Sequence, residues 1–163
     1  MHMELRTHTA EETREVGSAI AGLLRPGDAV ALTGDLGAGK TTLVQGAARA
    51  LGVDEPVVSP TFMLVREYEG TMPVAHVDVY RLERIQDVID LGLEELPGRA
   101  GVLFVEWGDA VAALLPDDRL EVELTGPDPG SEARRIRITG KGPSWRERAE
   151  RLEGALDRWS SAA

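Results

Sequence analysis

The chain of 163 residues contains no cysteine, which excludes a disulfide framework and a thiolate metal site. Histidine is also scarce: there are three, and two of them, His2 and His8, lie close to the N-terminus, which disfavours a histidine-based metal site. The sequence does not open on an apolar h-region, and no later stretch approaches the length of a membrane span. We therefore expect a soluble, cytoplasmic protein with no membrane association.

Positive charge is in the minority. The formal net charge is -10, and residues 1–118 carry 9 Lys and Arg against 20 Asp and Glu, whereas residues 119–163 carry 9 against 8. An acidic surface gains nothing from counterion release on nucleic acid, so autonomous binding to DNA or RNA is disfavoured. A protein partner remains compatible with this charge.

Hydrophobic periodicity alternates between helices and strands along the chain. It predicts an amphipathic helix over 7–24, with Thr9 as its cap and Glu12 completing a capping box, and a C-terminal helix capped by Ser144. Strands are predicted at 29–34, 62–70, 74–80, 101–107, 119–126 and 134–140, and further helices at 40–52, 83–96 and 109–116. This alternation, without an internal repeat or a long linker, indicates one three-layer α/β domain over 1–163 with a mixed, partly antiparallel sheet.

The strongest motif is "GDLGAGKTT", which fits the pattern of a phosphate-binding loop (P-loop) between a predicted strand and a predicted helix. Gly34, Gly37 and Gly39 allow backbone N–H groups to surround phosphates, with the helix N-terminus adding partial positive charge. Lys40 suits the β- and γ-phosphates, and the Thr41 hydroxyl suits Mg²⁺. The domain is therefore predicted to be P-loop NTPase-like.

Lysine usage argues against a chance match. The chain has 16 arginines but only two lysines, Lys40 and Lys141. A sequence that otherwise uses arginine has a lysine where a phosphate loop requires one.

Two carboxylates are candidates for the metal and water chemistry that accompanies such a loop. Asp78 lies in "VAHVDVY" and Glu106 ends the apolar run "VLFVEW". One could hold Mg²⁺ through its water shell while the other polarises the attacking water, and the sequence leaves this division open. Lys40, Asp78 and Glu106 are thus the candidate catalytic residues.

Three further features have both functional and ordinary interpretations. Thr61 of "SPTF" (59–62) could sense the γ-phosphate or be a plain loop residue. Arg81 could stabilise transition-state charge or lie on the surface, and Trp107 could pack near the nucleotide or in the core.

Other P-loop and kinase classes lack support. There is no N-K-x-D element for guanine, and no aspartate has a glycine three residues later, so a Ras-like GTPase is disfavoured. The glycine loop, H-R-D and D-F-G elements of protein kinases are also missing.

"GDLGAGKTT", "SPTF", "HVDVYRL" and "VEWGD", in this order and spacing, resemble the TsaE family (also called YjeE), small bacterial ATPases required for threonylcarbamoyl modification of the tRNA adenosine next to the anticodon. The resemblance covers most of the chain up to the late strand pair. It implies that ATP is hydrolysed in complex with the TsaB and TsaD proteins, which activates or resets the modifying complex. The tRNA would be reached indirectly, through the complex.

The resemblance also implies roles for individual residues. Thr41 and Glu106 would coordinate Mg²⁺, with Asp78 as a nearby metal or water-orienting acid. An arginine of the late strand would contact the nucleotide: Arg134 matches best, although Arg135 or Arg137 could take its place after a one-residue shift. The residues predicted to bind ATP are Thr9, Gly37, Ala38, Gly39, Lys40, Thr41, Thr42 and Arg134.

Two alternatives belong to other classes. A small-molecule kinase of the shikimate-kinase type is similarly short, but it needs a lid with a catalytic arginine, and the arginines at 134–137 alternate like a strand. A nucleotide-binding interaction module without turnover is disfavoured by the two carboxylates.

Overall fold

The computed structural model describes residues 1–35, 37–58, 65–79, 101–107, 112–126 and 128–161. The "SPTF" stretch, Arg81 and the helix predicted at 83–96 lie outside these ranges. Of the helix predicted at 109–116, the described part contains a single 3-10 turn at 112–114.

Seven strands of the described part of the chain form one mixed sheet in the order β1-β7-β6-β2-β5-β4-β3. The four central strands, β6, β2, β5 and β4, are parallel to one another, whereas β1–β7, β7–β6 and β4–β3 are antiparallel pairs. The strands are β1 (His2–Thr7), β2 (Ala29–Thr33), β3 (Val65–Glu69), β4 (Pro73–Asp78), β5 (Val102–Glu106), β6 (Arg119–Thr125) and β7 (Arg134–Lys141). The predicted α/β class with a mixed, partly antiparallel sheet is confirmed.

Within the described ranges three α-helices accompany the sheet: α1 (Ala10–Ala21), α2 (Lys40–Ala50) and α3 (Pro143–Leu156), the last continuing into a 3-10 helix at Asp157–Trp159. The predicted cap of α1 is confirmed, since the Thr9 hydroxyl accepts a hydrogen bond from the Glu12 N–H at 3.1 Å. None of the helices in the described ranges is long and apolar enough to cross a membrane.

The cap predicted for the C-terminal helix is wrong. Gly142, with φ 95°, occupies the N-cap position of α3, and Pro143 is the first helical residue. Proline favours this position because its missing N–H would have no intrahelical partner there. Ser144 therefore lies one residue inside the helix, where its hydroxyl accepts from the Arg148 guanidinium.

The N-terminal strand was not predicted from the sequence. Residues of β1 pair with β7 from His2–Thr139 to Thr7–Arg134, which makes β1 an edge strand of the sheet. Leu5 and Thr7 are fully buried, whereas His2, Glu4 and Arg6 are exposed. The segment thus follows the alternation of a half-buried strand, but with only a few apolar residues.

The sheet is buried on both faces along its central strands. One apolar cluster unites all three helices with side chains such as Leu32, Phe104 and Ile138. A second cluster lies on the opposite face and includes Val77 and Val105, both fully buried. Parallel strands that are buried on both faces read as continuous apolar runs, which agrees with the sequence of β5.

Two glycines bring α1 and α2 into close contact. A Cβ at Gly17 would lie 2.0 Å from the Leu43 carbonyl oxygen, and a Cβ at Gly46 would lie 1.8 Å from the Arg14 carbonyl oxygen. Each glycine thus allows the backbone of the other helix to approach. This packing fixes the position of α2, whose first residue is Lys40.

Candidate nucleotide-binding site

The loop between β2 and α2 has a backbone that only glycine accommodates at two positions. Gly34 has φ 140°, and a Cβ there would lie 2.4 Å from the Leu124 carbonyl oxygen of β6. Gly39 has φ 103° and occupies the N-cap of α2, where no side chain caps the helix. The first N–H groups of α2 therefore lack a side-chain cap, which is the condition for binding an anion at a helix N-terminus.

Lys40 is buried to 5% exposure at the start of α2. Its ammonium group donates to the carbonyl oxygens of Gly34 and Asp35, the latter at 3.2 Å, and lies 3.9 Å from the centroid of the Trp107 ring. Trp107 itself has φ 66°, an uncommon conformation for a non-glycine residue. The lysine charge is thus held within the loop by backbone oxygens and an aromatic face.

The two predicted carboxylates lie together at the carboxyl ends of neighbouring parallel strands. Asp78 of β4 pairs in register with Glu106 of β5, and both are 4% exposed. The Thr41 hydroxyl donates to the Glu106 carboxylate, with 2.9 Å between Oγ1 and Oε2. The structure therefore brings Thr41, Asp78 and Glu106 to one place, beside Lys40.

His76 is a residue that the sequence analysis did not include in the site. Its imidazole is fully buried, and Nε2 lies 2.5 Å from Oε2 of Glu106. The available signal was its spacing: His76 precedes Asp78 by two residues in a strand, which places both side chains on one face of the sheet. The pairing of β4 with β5, which brings His76 to Glu106, cannot be deduced from one sequence.

A cavity of about 260 Å³ opens above the loop. A second cavity of about 560 Å³ adjoins it between the loop and the connection from β6 to β7, and the two share Gly37, Ala38 and Arg134. The smaller cavity is lined by Gly37, Ala38, Gly39, Lys40, Thr41, Thr42, Asp78, Glu106, Trp107 and Arg134. All but one of the predicted catalytic and binding residues therefore surround a single space.

Arg134 is the arginine of the late strand that reaches the loop. Its guanidinium donates to the Gly37 carbonyl oxygen at 3.0 Å and to the carbonyl oxygens of Ser131 and Ala133 at 2.7 Å. Arg137 lies instead in ion pairs with Glu4 and Glu123. Of the arginines left open by the sequence, Arg134 lines both cavities, whereas Arg135 and Arg137 line neither. The contact of Arg134 with a nucleotide stays a prediction.

Thr9 is the predicted site residue that the structure does not bring to this space. It is exposed at the N-cap of α1, and it is not among the described residues that line either cavity. The neighbouring Ala10 N–H donates to Glu132 in the β6–β7 connection at 3.2 Å. Its contact with a nucleotide stays a prediction.

The oxygen atoms at the site suit a magnesium ion that is bound mainly through phosphates and water. Within the described ranges, no group of three or more His, Cys, Asp or Glu residues could hold a metal by itself. Thr41, Asp78 and Glu106 supply one hydroxyl and two carboxylates, and Mg²⁺ in nucleotide sites uses one or two carboxylates together with substrate phosphates and water. The residues present therefore fit a metal that arrives with the nucleotide.

The fold and this arrangement define a protein of the P-loop NTPase-like α/β class. Residues 7–136 match the family model described as threonylcarbamoyl adenosine biosynthesis protein TsaE. The chain therefore belongs to the TsaE family, as the ordered motifs predicted.

Named relatives agree with this membership. The tRNA threonylcarbamoyladenosine biosynthesis protein TsaE of Bacillus subtilis is 39% identical over 151 residues, which cover 92% of this chain and 93% of that protein. The TsaE protein of Streptomyces coelicolor is 39% identical over 142 residues, which cover 81% and 93%. The crystal structure of Bacillus subtilis YdiB superposes with a TM-score of 0.76 at 36% identity, covering 97% of this chain and 95% of that one.

Proposed function

We propose that this chain is an ATPase that binds ATP with Mg²⁺ and supports threonylcarbamoyl modification of tRNA adenosine in complex with TsaB and TsaD. Its family is described by a role in threonylcarbamoyl adenosine biosynthesis. The single observation that carries the catalytic part is the bond between Thr41 and Glu106, which joins the start of the loop helix to the strand-end carboxylate.

The nucleotide would occupy the two adjoining cavities. The triphosphate would lie in the smaller one, where the N-terminus of α2 and Lys40 provide positive charge. The nucleoside would extend past Arg134 into the larger cavity beside the β6–β7 connection. Lys40 would then exchange its bonds to the Gly34 and Asp35 carbonyl oxygens for bonds to phosphate oxygens.

Hydrolysis requires water to attack the γ-phosphorus atom while ADP leaves. Lys40 would stabilise the charge that develops on the phosphate oxygens, and Thr41 with Glu106 would hold the metal shell. Mg²⁺, when bound, neutralises phosphate charge. Asp78, next to Glu106 across the sheet, would orient the attacking water or complete the metal shell.

The position of the late arginines favours work on a partner over phosphoryl transfer to a metabolite, which would need an arginine on a lid. The late arginines belong to strand β7 in the described structure, and none is carried on a lid. The net charge of -10 also fits a subunit that reaches tRNA through other proteins.

The test is ATP turnover by the chain alone, with the TsaB–TsaD pair, and with small acidic metabolites. We expect the protein pair to raise turnover, the metabolites to have no effect, and Lys40→Ala to abolish nucleotide binding. A pull-down with TsaB and TsaD, with and without ATP, measures the association directly. Failure to bind in either state, or stimulation by a metabolite alone, would contradict the proposal.

A further inference from the structure

The Glu106 carboxylate has two partners on the same oxygen. Oε2 accepts from the Thr41 hydroxyl at 2.9 Å and lies 2.5 Å from Nε2 of His76. Thr41 approaches from α2 and His76 from β4, so the carboxylate is fixed from two elements of the fold. Both carboxylate and imidazole are nearly inaccessible to water, with exposures of 4% and 0%.

The environment of the imidazole indicates which nitrogen carries its proton. Nδ1 of His76 is buried and has no hydrogen-bond partner among the described residues. A buried N–H without an acceptor is costly, so Nδ1 is better left unprotonated. The proton then belongs on Nε2, where the carboxylate oxygen accepts it.

We propose that His76 is a positioning residue for ATP hydrolysis: its Nε2–H, together with the Thr41 hydroxyl, holds the Glu106 carboxylate in the orientation that would serve a nucleotide-bound metal. This inference rests on the proposed function, because it assigns Thr41 and Glu106 to that metal. His76 itself lies deeper in the sheet than Asp78, two residues before the strand end, and acts only through Glu106.

The need for such a residue follows from the two tasks of Thr41. In the described structure the Thr41 hydroxyl donates to Glu106, and a hydroxyl oxygen could also offer a lone pair to a metal while it keeps this bond. The bond from His76 gives the carboxylate a second anchor that comes from β4 and has no such second task. If the carboxylate is already held in its working orientation, no free energy is needed to reorient it when the reaction occurs.

Three variants separate positioning from packing. His76→Leu removes the donor but retains an apolar side chain in the buried space, and His76→Gln places an amide N–H near the position of Nε2. Val74→Ala is the matched control because Val74 is fully buried on the same face of β4, in the main apolar cluster and away from the cavities. It measures what a packing loss in this strand does to turnover.

Turnover is measured with the partner pair at saturating and limiting ATP and over a range of Mg²⁺ concentrations. We expect His76→Leu to lower kcat by about 10- to 100-fold and to raise the Mg²⁺ concentration needed, as loss of a partner to a metal ligand does. KM for ATP should change by less than about threefold, and His76→Gln should recover most of the loss. If Val74→Ala lowers kcat as much as His76→Leu, or if His76→Gln restores nothing, the positioning role is wrong.

A second readout needs neither nucleotide nor partners. In protein with ¹⁵N-labelled histidine, we expect the His76 ring to carry its proton on Nε2, with a downfield, slowly exchanging signal that moves upfield in Glu106→Ala. A proton on Nδ1, or a signal unaffected by Glu106→Ala, would overturn the inference. A parent protein that shows this signal but no turnover with TsaB and TsaD would contradict the proposed function alone.

Discussion

The contact between α1 and α2 leads to a prediction for Gly46→Ala. The Arg14 carbonyl oxygen lies 1.8 Å from the position of an added Cβ, whereas real Cβ atoms almost never come closer than 3.0 Å to such an atom. The neighbour is backbone, so no rotamer change can relieve the overlap. The helices would have to separate by at least about 1 Å, against the close packing of protein interiors.

The magnitude follows from two opposing effects. Overpacking in a core costs about 1–3 kcal/mol, and a backbone clash belongs at the upper end. The same substitution gains up to about 1 kcal/mol because alanine favours the helix over glycine. We therefore expect Gly46→Ala to lower the free energy of unfolding by about 2 kcal/mol, which corresponds to a Tm about 4–8 °C lower for a domain of this size.

Gly154→Ala is the matched control. Gly154 lies in α3, is exposed, and an added Cβ would meet no atom within 4 Å. It retains the gain in helix propensity without the clash, so Tm should rise by about 2–4 °C. Thermal and urea unfolding followed by circular dichroism measure both variants, and equal shifts in the same direction would refute the packing account.

Three further predictions address the site and the core. Asp78→Ala and Glu106→Ala should each lower partner-stimulated ATP hydrolysis by about 100-fold or more while largely sparing ATP affinity. Asp54→Ala, which removes an exposed carboxylate, is the control. Turnover at the parent rate in both site variants would refute the site assignment. Gly34→Ala should weaken nucleotide binding, measured by calorimetry, because its Cβ would lie 2.4 Å from the Leu124 carbonyl oxygen at a φ of 140°; unchanged affinity would show that the loop tolerates the side chain. Arg148 is 1% exposed and pairs with Asp28 at 2.6 and 3.1 Å. Arg148→Met should therefore cost about 3 kcal/mol in urea unfolding, and the additional change Asp28→Ala should recover part of it; a double variant less stable than Arg148→Met would contradict this reasoning.

Local chemistry made several elements predictable. The elements β2 and α2 and the loop between them were predictable because a buried apolar run is followed by glycines at fixed offsets and then by a helical pattern. The Thr9 cap was predictable because a helix favours a hydroxyl side chain immediately before its first turn. The pairing of β6 with β7 followed from two alternating segments around a turn.

Other features depend on partners that are distant in sequence. The edge strand β1 has few apolar residues and is defined by its pairing with β7, whose residues are distant in sequence, from Thr7–Arg134 to His2–Thr139. The cap of α3 differs from the prediction because Pro143, which favours the first helical position, begins the helix one residue before Ser144. The bond between His76 and Glu106 depends on the register of two parallel strands, which a single sequence does not contain.

The most direct test of the central claim is formation of threonylcarbamoyladenosine in tRNA over many turnovers by a reconstituted system containing TsaB and TsaD. We predict sustained modification with the parent chain and ATP, and arrest without the chain or with Glu106→Ala in its place. Sustained modification with Glu106→Ala at the parent rate, while ATP remains unhydrolysed, would contradict the claim that ATP hydrolysis at this site serves the modification.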